Sequence, residues 1–526
     1  MQWSAAFLAA LLLAPVPGQA GPPAPDAAEI RARVRAWREA HAPAILRELA
    51  DLVALPNIAA DGPAIRRNAD FIAKMLARRG FSASMLDAEG SPPAVYGELI
   101  TPGARRTLML YAHYDGQPVV PADWAGDPWT PVLRDGPRDR GGREVPLDTA
   151  DGRSDGEWRL YGRSTSDDKA PIVGVLAALD GLRASGLAPS VNLKVFFEGE
   201  EEAGSPHLEA MLSKHAARLK ADVWVFCDGP VHQSRRLQLF WGTRGVMGLE
   251  MTVYGARRPL HSGHYGNWAP NPAVALAHLV AELRGADGRV QVAGFYDDVR
   301  APTAAEKAAL AAAPGLDEEL REELALGATE PGRLVERILL PALNVRGLAS
   351  GQVGDKASNA IPTEATASID FRLVPDQRPE TVRARVEAHL ARQGWQVVHE
   401  TPDPARRRRH PRLVKLLWEA GYPPSRTSME LPVSRAVARV VEDSIGAPVV
   451  RLPTLGGSLP MFLFEKVLAV PVIGLPIANH DNSQHAANEN LRLQNLWDGI
   501  EVYAGLLARL GPALDDGAAA SPGTPR

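Results

Sequence analysis

The residue types that bind metal ions or move protons occur in short clusters, each at the end of an apolar run. His113 and Asp115 follow 108–112. Ser166, Asp167, Asp168 and Lys169 follow 160–162. Glu198, Glu200, Glu201 and Glu202 close the run 193–197, and Asp228 follows 223–226. A further group, His480, Asp481 and His485, comes after 470–475. Each cluster alone has an ordinary explanation: a core histidine, a pair of helix-capping aspartates, a solvated acidic turn. Taken together, so many carboxylates at the ends of buried segments repel one another and require a compensating cation. The single cysteine, Cys227, excludes a thiolate-rich site and an internal disulfide. Histidines and carboxylates without thiolates suit zinc, manganese or cobalt. If Asp167 bridges two such ions, the arrangement is that of a two-metal hydrolase.

Such clusters need elements that bring them to one place. In open parallel sheets, ligands bind in the crevice at the carboxyl ends of the strands, where these clusters fall. The runs 107–112, 191–197 and 222–227 read as strands, 28–55 and 170–185 as helices, and 467–475 as a buried strand returning to the same sheet. The pattern changes near Gly245. The stretches 247–254 and 367–374 alternate apolar and polar residues, as half-buried antiparallel strands do, with helical segments at 272–283 and 379–391. The expected fold is therefore α/β: a discontinuous catalytic domain, its largely parallel central sheet flanked by helices, interrupted by a smaller α+β domain. The boundaries read as 21–244, 245–402 and 403–512, with a flexible tail at 513–526. The segments 134–159 and 406–412, the latter holding Arg406, Arg407, Arg408, Arg409, His410 and Arg412, read as solvated loops.

A chain of 526 residues exceeds the roughly 250 to 300 at which one core stops growing, so more than one domain is expected. With 58 basic and 62 acidic residues the net charge is -4, which argues against nucleic acid or an anionic membrane as partner. A content of 45% hydrophobic and 23% charged residues is that of a folded globule. Residues 1–20 carry no charged side chain, are apolar from Ala5 to Leu13 and end in small residues. This pattern predicts a secretory signal cleaved near Gly21, and hence an exported bacterial protein, periplasmic or secreted. About ten apolar residues fall short of the roughly 20 that cross a bilayer, so no stable membrane insertion is expected.

The strings YAHYDGQPV, YGRSTSDDKAP, FEGEEEAGS, CDGP, HSGHYG, NAIP followed by DFRLVP, GGSLP and HAANENL resemble, in order, the motifs of the M20 (M20/M25/M40) metallopeptidases, particularly the carnosinase-like dipeptidase branch. The resemblance implies two divalent ions, zinc or else manganese or cobalt. His113, Asp167 and Asp228 would hold one, and Asp167, Glu202 and His485 the other. Asp115 would orient the His113 imidazole, and Glu201 would be the general base, an alignment anchored on the AGS at 203–205 because three glutamates run together. His261 of the HSG motif would reach the active site of a partner subunit and stabilise the oxyanion, which makes the inserted domain a ferredoxin-like lid and dimerisation domain and the protein a homodimer. Arg372, Asn359 and Ser458 would bind substrate. One departure is Ser164, which stands where the family commonly has glycine.

The leading expectation is a hydrolase that cleaves the amide bond of dipeptides or short peptides with a free C-terminal carboxylate. The same machinery would serve an N-acyl-amino-acid deacylase. A non-catalytic peptide-binding protein is the alternative of another class. A serine hydrolase finds no GxSxG elbow, since Leu459 and Pro460 follow Gly456, Gly457 and Ser458.

Overall fold

The computed structural model describes residues 26–519. Residues 1–20, on which the expected signal segment rests, lie outside that range. The apolar runs form the middle of an eight-stranded sheet, in the spatial order Ser82–Leu86, Ala94–Leu99, Asn192–Glu198, Thr107–His113, Val223–Phe226, Val472–Gly474, Gln238–Phe240, Val450–Leu452. Neighbours are parallel through the centre, from Asn192–Glu198 to Val472–Gly474. The first two pairings and the contact of Val472–Gly474 with Gln238–Phe240 are antiparallel, so the sheet is mixed.

The continuous apolar reading of the central strands follows from coverage on both faces. Along Thr107–His113, Leu108, Leu110 and Ala112 join one buried cluster, while Met109 and Tyr111 join another. Helices Ala27–Val53, Ala170–Ala184, Pro432–Ile445 and Leu493–Ala519 pack the first face. Leu208–His215 and Met461–Leu468 pack the second. Each fully buried Leu, Val or Phe stabilises this sandwich by roughly 1.5–3 kcal/mol. The stretch 467–475 differs from expectation. Val467 and Leu468 end a helix, and only Val472–Gly474 is strand.

A second sheet of five strands runs Ala342–Ala349, Glu364–Leu373, Gly245–Tyr254, Leu413–Trp418, Gln396–Val398. Every second residue of Glu364–Leu373 is buried, and the buried ones pack with Leu276, Leu279, Val382 and Val386 of helices Pro272–Leu283 and Pro379–Arg392 into a separate core. This sheet continues past residue 402, because Leu413–Trp418 pairs with Gly245–Tyr254.

Two segments read as loops are more ordered than that. The segment 134–159 is anchored at its base by a small sheet of Val132–Arg134, Arg159–Tyr161 and Asn490–Arg492. The basic run holds the short helix Pro404–Arg409, capped by Asp403, whose Oδ1 accepts the Arg406 N–H at 2.7 Å. Arg407 lies 4.2 Å from the Tyr254 ring centre and Arg412 4.8 Å from that of Trp395, so these guanidiniums have aromatic partners. Among the described residues no helix is long and apolar enough to cross a membrane.

Candidate active site

Three adjacent parallel strands deliver the polar clusters to one end of the central sheet. Asn192–Glu198 leads to Glu201 and Glu202, Thr107–His113 to Asp115, and Val223–Phe226 to Asp228. His113 Nε2 lies 2.9 Å from Asp167 Oδ1 and 3.9 Å from Asp228 Oδ2. On the other side of Asp167, its Oδ2 is 3.2 Å from His485 Nε2, which is 3.3 Å from Glu202 Oε2. Two donor sets result, His113/Asp167/Asp228 and Asp167/Glu202/His485. In each, one ligand atom per residue falls within 4.8 Å of the others, and Asp167 belongs to both.

These side chains are held from behind. His113 Nδ1 sits 3.2 Å from the Asp115 backbone oxygen and 3.4 Å from its Oδ1, leaving Nε2 turned toward Asp167. The same Asp115 carboxylate accepts the backbone N–H of Glu201 at 3.0 Å and of Glu202 at 2.9 Å, so one side chain positions both the imidazole and the acidic turn. Asp167 and Asp168 lie on a non-helical backbone (φ −121° and −139°) just before helix Ala170–Ala184. Ser164, the residue that departs from glycine in the motif, has φ +61°, a left-handed conformation that explains why glycine suits this position. Lys169 is buried and donates from Nζ to the carbonyls of Leu52 and Leu55, both at 2.9 Å, tying this loop to the end of helix Ala27–Val53.

Sequence reasoning missed three supporting residues. Glu489 is buried and accepts from Arg163 Nη1, the backbone N–H groups of Ser164, Ser166 and Asp167, and the Ser166 hydroxyl. Gln484 Nε2 donates to Asp167 Oδ2 at 2.7 Å, and Gln117 Nε2 to Glu202 Oε2 at 2.8 Å. Glu489 and Gln117 lie inside the quoted motifs HAANENL and YAHYDGQPV. A rule that a shared carboxylate needs a second layer of donors would have picked them out.

The electrostatics are those of too much negative charge in too little solvent. Burial pushes Asp228 up to about 6 and Glu202 up to about 7, in both cases reinforced by Asp167. Burial also holds Glu201 well above the usual carboxylate range, opposed by His113 and reinforced by Asp228 and Glu202. Burial would likewise raise Asp167, but bonds to His113 and His485 outweigh it and hold this carboxyl low. His113 itself is lowered by burial, yet its contacts with Asp115 and Asp167 leave it well above its ordinary value. Asp228 Oδ2 is buried without any hydrogen-bond partner. An orphaned carboxylate oxygen beside imidazole and carboxylate donors fits a divalent cation.

Asp167, Glu201, Asp228 and His485 line a cavity of about 700 Å³ together with Arg372, Tyr422 and Ser458. Arg372 donates from Nη1 to Ser458 Oγ at 2.8 Å and from Nε to Asp370 Oδ2 at 3.0 Å. His261 and Asn359 are elsewhere. His261 belongs to a two-stranded pair, Leu260–His261 with Ala360–Ile361, and Asn359 immediately precedes its second strand; both are exposed and neither lines this cavity. His480 also lines the cavity, whereas Asp481 is engaged by Arg159 Nη2 at 2.7 Å.

A family model described as Peptidase family M20/M25/M40 matches residues 109–509. The Cys-Gly metallodipeptidase dug1 of Schizosaccharomyces pombe is 26% identical over 478 residues, covering 86% of this chain and 93% of that protein. The human Beta-Ala-His dipeptidase is 25% identical, covering 78% of this chain and 76% of its own length. Among solved structures, the M20 family metallo-carboxypeptidase Sso-CP2 from Sulfolobus solfataricus superposes with a TM-score of 0.72 at 27% identity, covering 89% of this chain and 99% of that one. Export into a bacterial periplasm or medium, expected from residues 1–20, is corrected by these relatives: the two curated enzymes come from a fission yeast and from human.

Proposed function

The chain belongs to peptidase family M20/M25/M40, and from that premise we propose that it is a two-metal dipeptidase acting on substrates with a free C-terminal carboxylate. The observation that carries this reading is the pair of donor sets sharing Asp167, on the same cavity as Glu201 and Arg372. His113, Asp167 and Asp228 would hold one divalent ion, and Asp167, Glu202 and His485 the other. Zinc is the ion the donors suit, with manganese and cobalt as alternatives. When bound, such ions supply Lewis acidity at the scissile carbonyl and acidify a water.

The protein's own side chains carry the remaining work. Glu201 has a raised proton affinity suited to a base that takes a proton from the attacking water and returns it to the leaving amine. Asp115 keeps His113 and the Glu201 backbone in fixed relation. Arg372 offers a planar fork to the terminal carboxylate of the substrate, with Ser458 fixing the guanidinium. His261 and Asn359, exposed and off this cavity, are assigned to the corresponding cavity of a second copy, where His261 would donate to the oxyanion. The second sheet and its helices then serve as lid and dimerisation domain.

The test is turnover of the metal-loaded protein on free, N-acetylated and C-amidated versions of one dipeptide. Cleavage of the free dipeptide, with loss on C-amidation, is expected. Preference for N-acyl amino acids would make the enzyme a deacylase instead. Metal-loaded protein that binds dipeptides without cleaving them would make it a binding protein.

A further inference from the structure

The cavity wall on the Arg372 side is aliphatic. Leu334, Val335 and Ile338 line it from the helix Leu334–Arg337 and the residue after it, and Leu455 and Leu459 line it from the chain around Ser458, with Tyr422 lining the same cavity from a segment paired with Val246. Leu334 keeps 42% of its surface exposed. Concave apolar surface of this kind, beside a few placed polar groups, is what a small-molecule site presents to an apolar ligand group.

The wall is held against the carboxylate fork by two contacts. Arg244, itself mostly buried, donates from Nη2 to the Leu340 carbonyl at 2.7 Å and so fastens the end of the 334–340 segment. Ile338 packs on the backbone of Gly456, where a side-chain Cβ would come within 3.3 Å of Ile338 Cδ1. Two residues further on, Ser458 Oγ accepts from Arg372 Nη1. The aliphatic surface and the arginine fork thus share the 455–459 segment. In an amino acid the side chain and the carboxylate leave the same Cα, so a residue whose carboxylate sits on Arg372 has its side chain within reach of this wall.

We infer that the preferred substrate ends in a residue with an aliphatic side chain such as Leu, Ile, Val or Met, seated against Ile338, Val335 and Leu455. This rests on the reading of Arg372 as the carboxylate anchor. It sets the enzyme apart from the relatives named for Cys-Gly and Beta-Ala-His, whose substrates end in glycine and histidine.

The experiment measures kcat/KM of the metal-loaded protein for Ala-Leu, Ala-Gly, Ala-His and Ala-Glu, then repeats it with Ile338→Asn and, separately, Leu455→Ala, so that one poorly folding variant does not decide the matter. Ala-Leu should exceed Ala-Gly and Ala-Glu by about tenfold or more, the scale of filling one hydrophobic subsite. Each folded variant should pull the Leu-to-Gly ratio toward one. A wild-type ratio near one, preference for Ala-His or Ala-Glu, or a ratio unmoved in both variants overturns the inference and leaves the dipeptidase reading standing. Failure to cleave any dipeptide overturns that reading, and this inference falls with it.

Discussion

Glu489 accepts the backbone N–H of Asp167 at 3.0 Å across 322 residues of chain. The segment that carries His485 is thereby fastened to the loop that presents the carboxylate shared by both donor sets. A buried carboxylate satisfied by three backbone N–H groups, one hydroxyl and one guanidinium is rigid, because every alternative rotamer strands several of them.

Glu489→Gln exchanges one acceptor oxygen for an amide that faces N–H donors. The folded protein should bind zinc about 10 to 100 times more weakly, the usual scale for supporting residues behind metal ligands. Competition against a chelating dye reads this directly. Wild-type zinc affinity combined with a lower unfolding temperature would reduce Glu489 to a purely structural residue.

Glu201→Gln should keep its metal content and lose at least about a hundredfold in turnover, the low end of general-base effects. Elemental analysis of the purified variant is the control. Loss of metal there would mean that Glu201 and Glu202 exchange roles.

His261→Ala should fold, dimerise and turn over poorly. Mixing it with Glu201→Gln, after dissociation and reassociation, should restore activity, because each mixed dimer holds one cavity with an intact Glu201 and an intact His261 from the other copy. No recovery in verified mixed dimers would place His261 outside the partner's site.

Arg372→Met should raise KM for a free dipeptide and erase its advantage over the C-amidated form, by about 10 to 100-fold in kcat/KM, the worth of a charged hydrogen bond. An unchanged preference for the free carboxylate would assign that anchor to another residue.

Burial pushes Glu198 up to about 8, against the pull of its bond from the Tyr111 hydroxyl at 2.7 Å. Its folded pKa stands above the ordinary 4.5, so the native state keeps a proton that the unfolded chain releases. Its contribution to stability is complete below that ordinary value and is lost as pH rises through about 8. Unfolding temperatures of chelator-treated protein should fall across this window. Glu198→Gln, which cannot ionise, should show a shallower fall, and identical slopes would remove Glu198 as a source.

Much of the fold was legible because the central strands are covered on both faces and therefore read as unbroken apolar runs. Thr107–His113 and Asn192–Glu198 are of this kind. Glu364–Leu373 was legible for the opposite reason, since one face packs and the other does not. The strand Val472–Gly474 is legible but reads too long, because Val467 and Leu468 before it close a helix and a short apolar run carries no period that separates the two. Leu413–Trp418 was missed because it follows a charge run and pairs with a strand about 160 residues earlier.

Local order along the chain determined the residue types available for chemistry: donors with oxygen and imidazole nitrogen but no thiolate cluster, placed where strands end. The tertiary structure decided which of them meet. His113, Asp167, Glu202, Asp228 and His485 are drawn together by the sheet and by loop contacts such as Glu489 to Asp167, while His261 and Asn359 are carried away to an exposed edge. Propensity and spacing act over a few residues, whereas the geometry of these donor sets is set by packing between segments hundreds of residues apart.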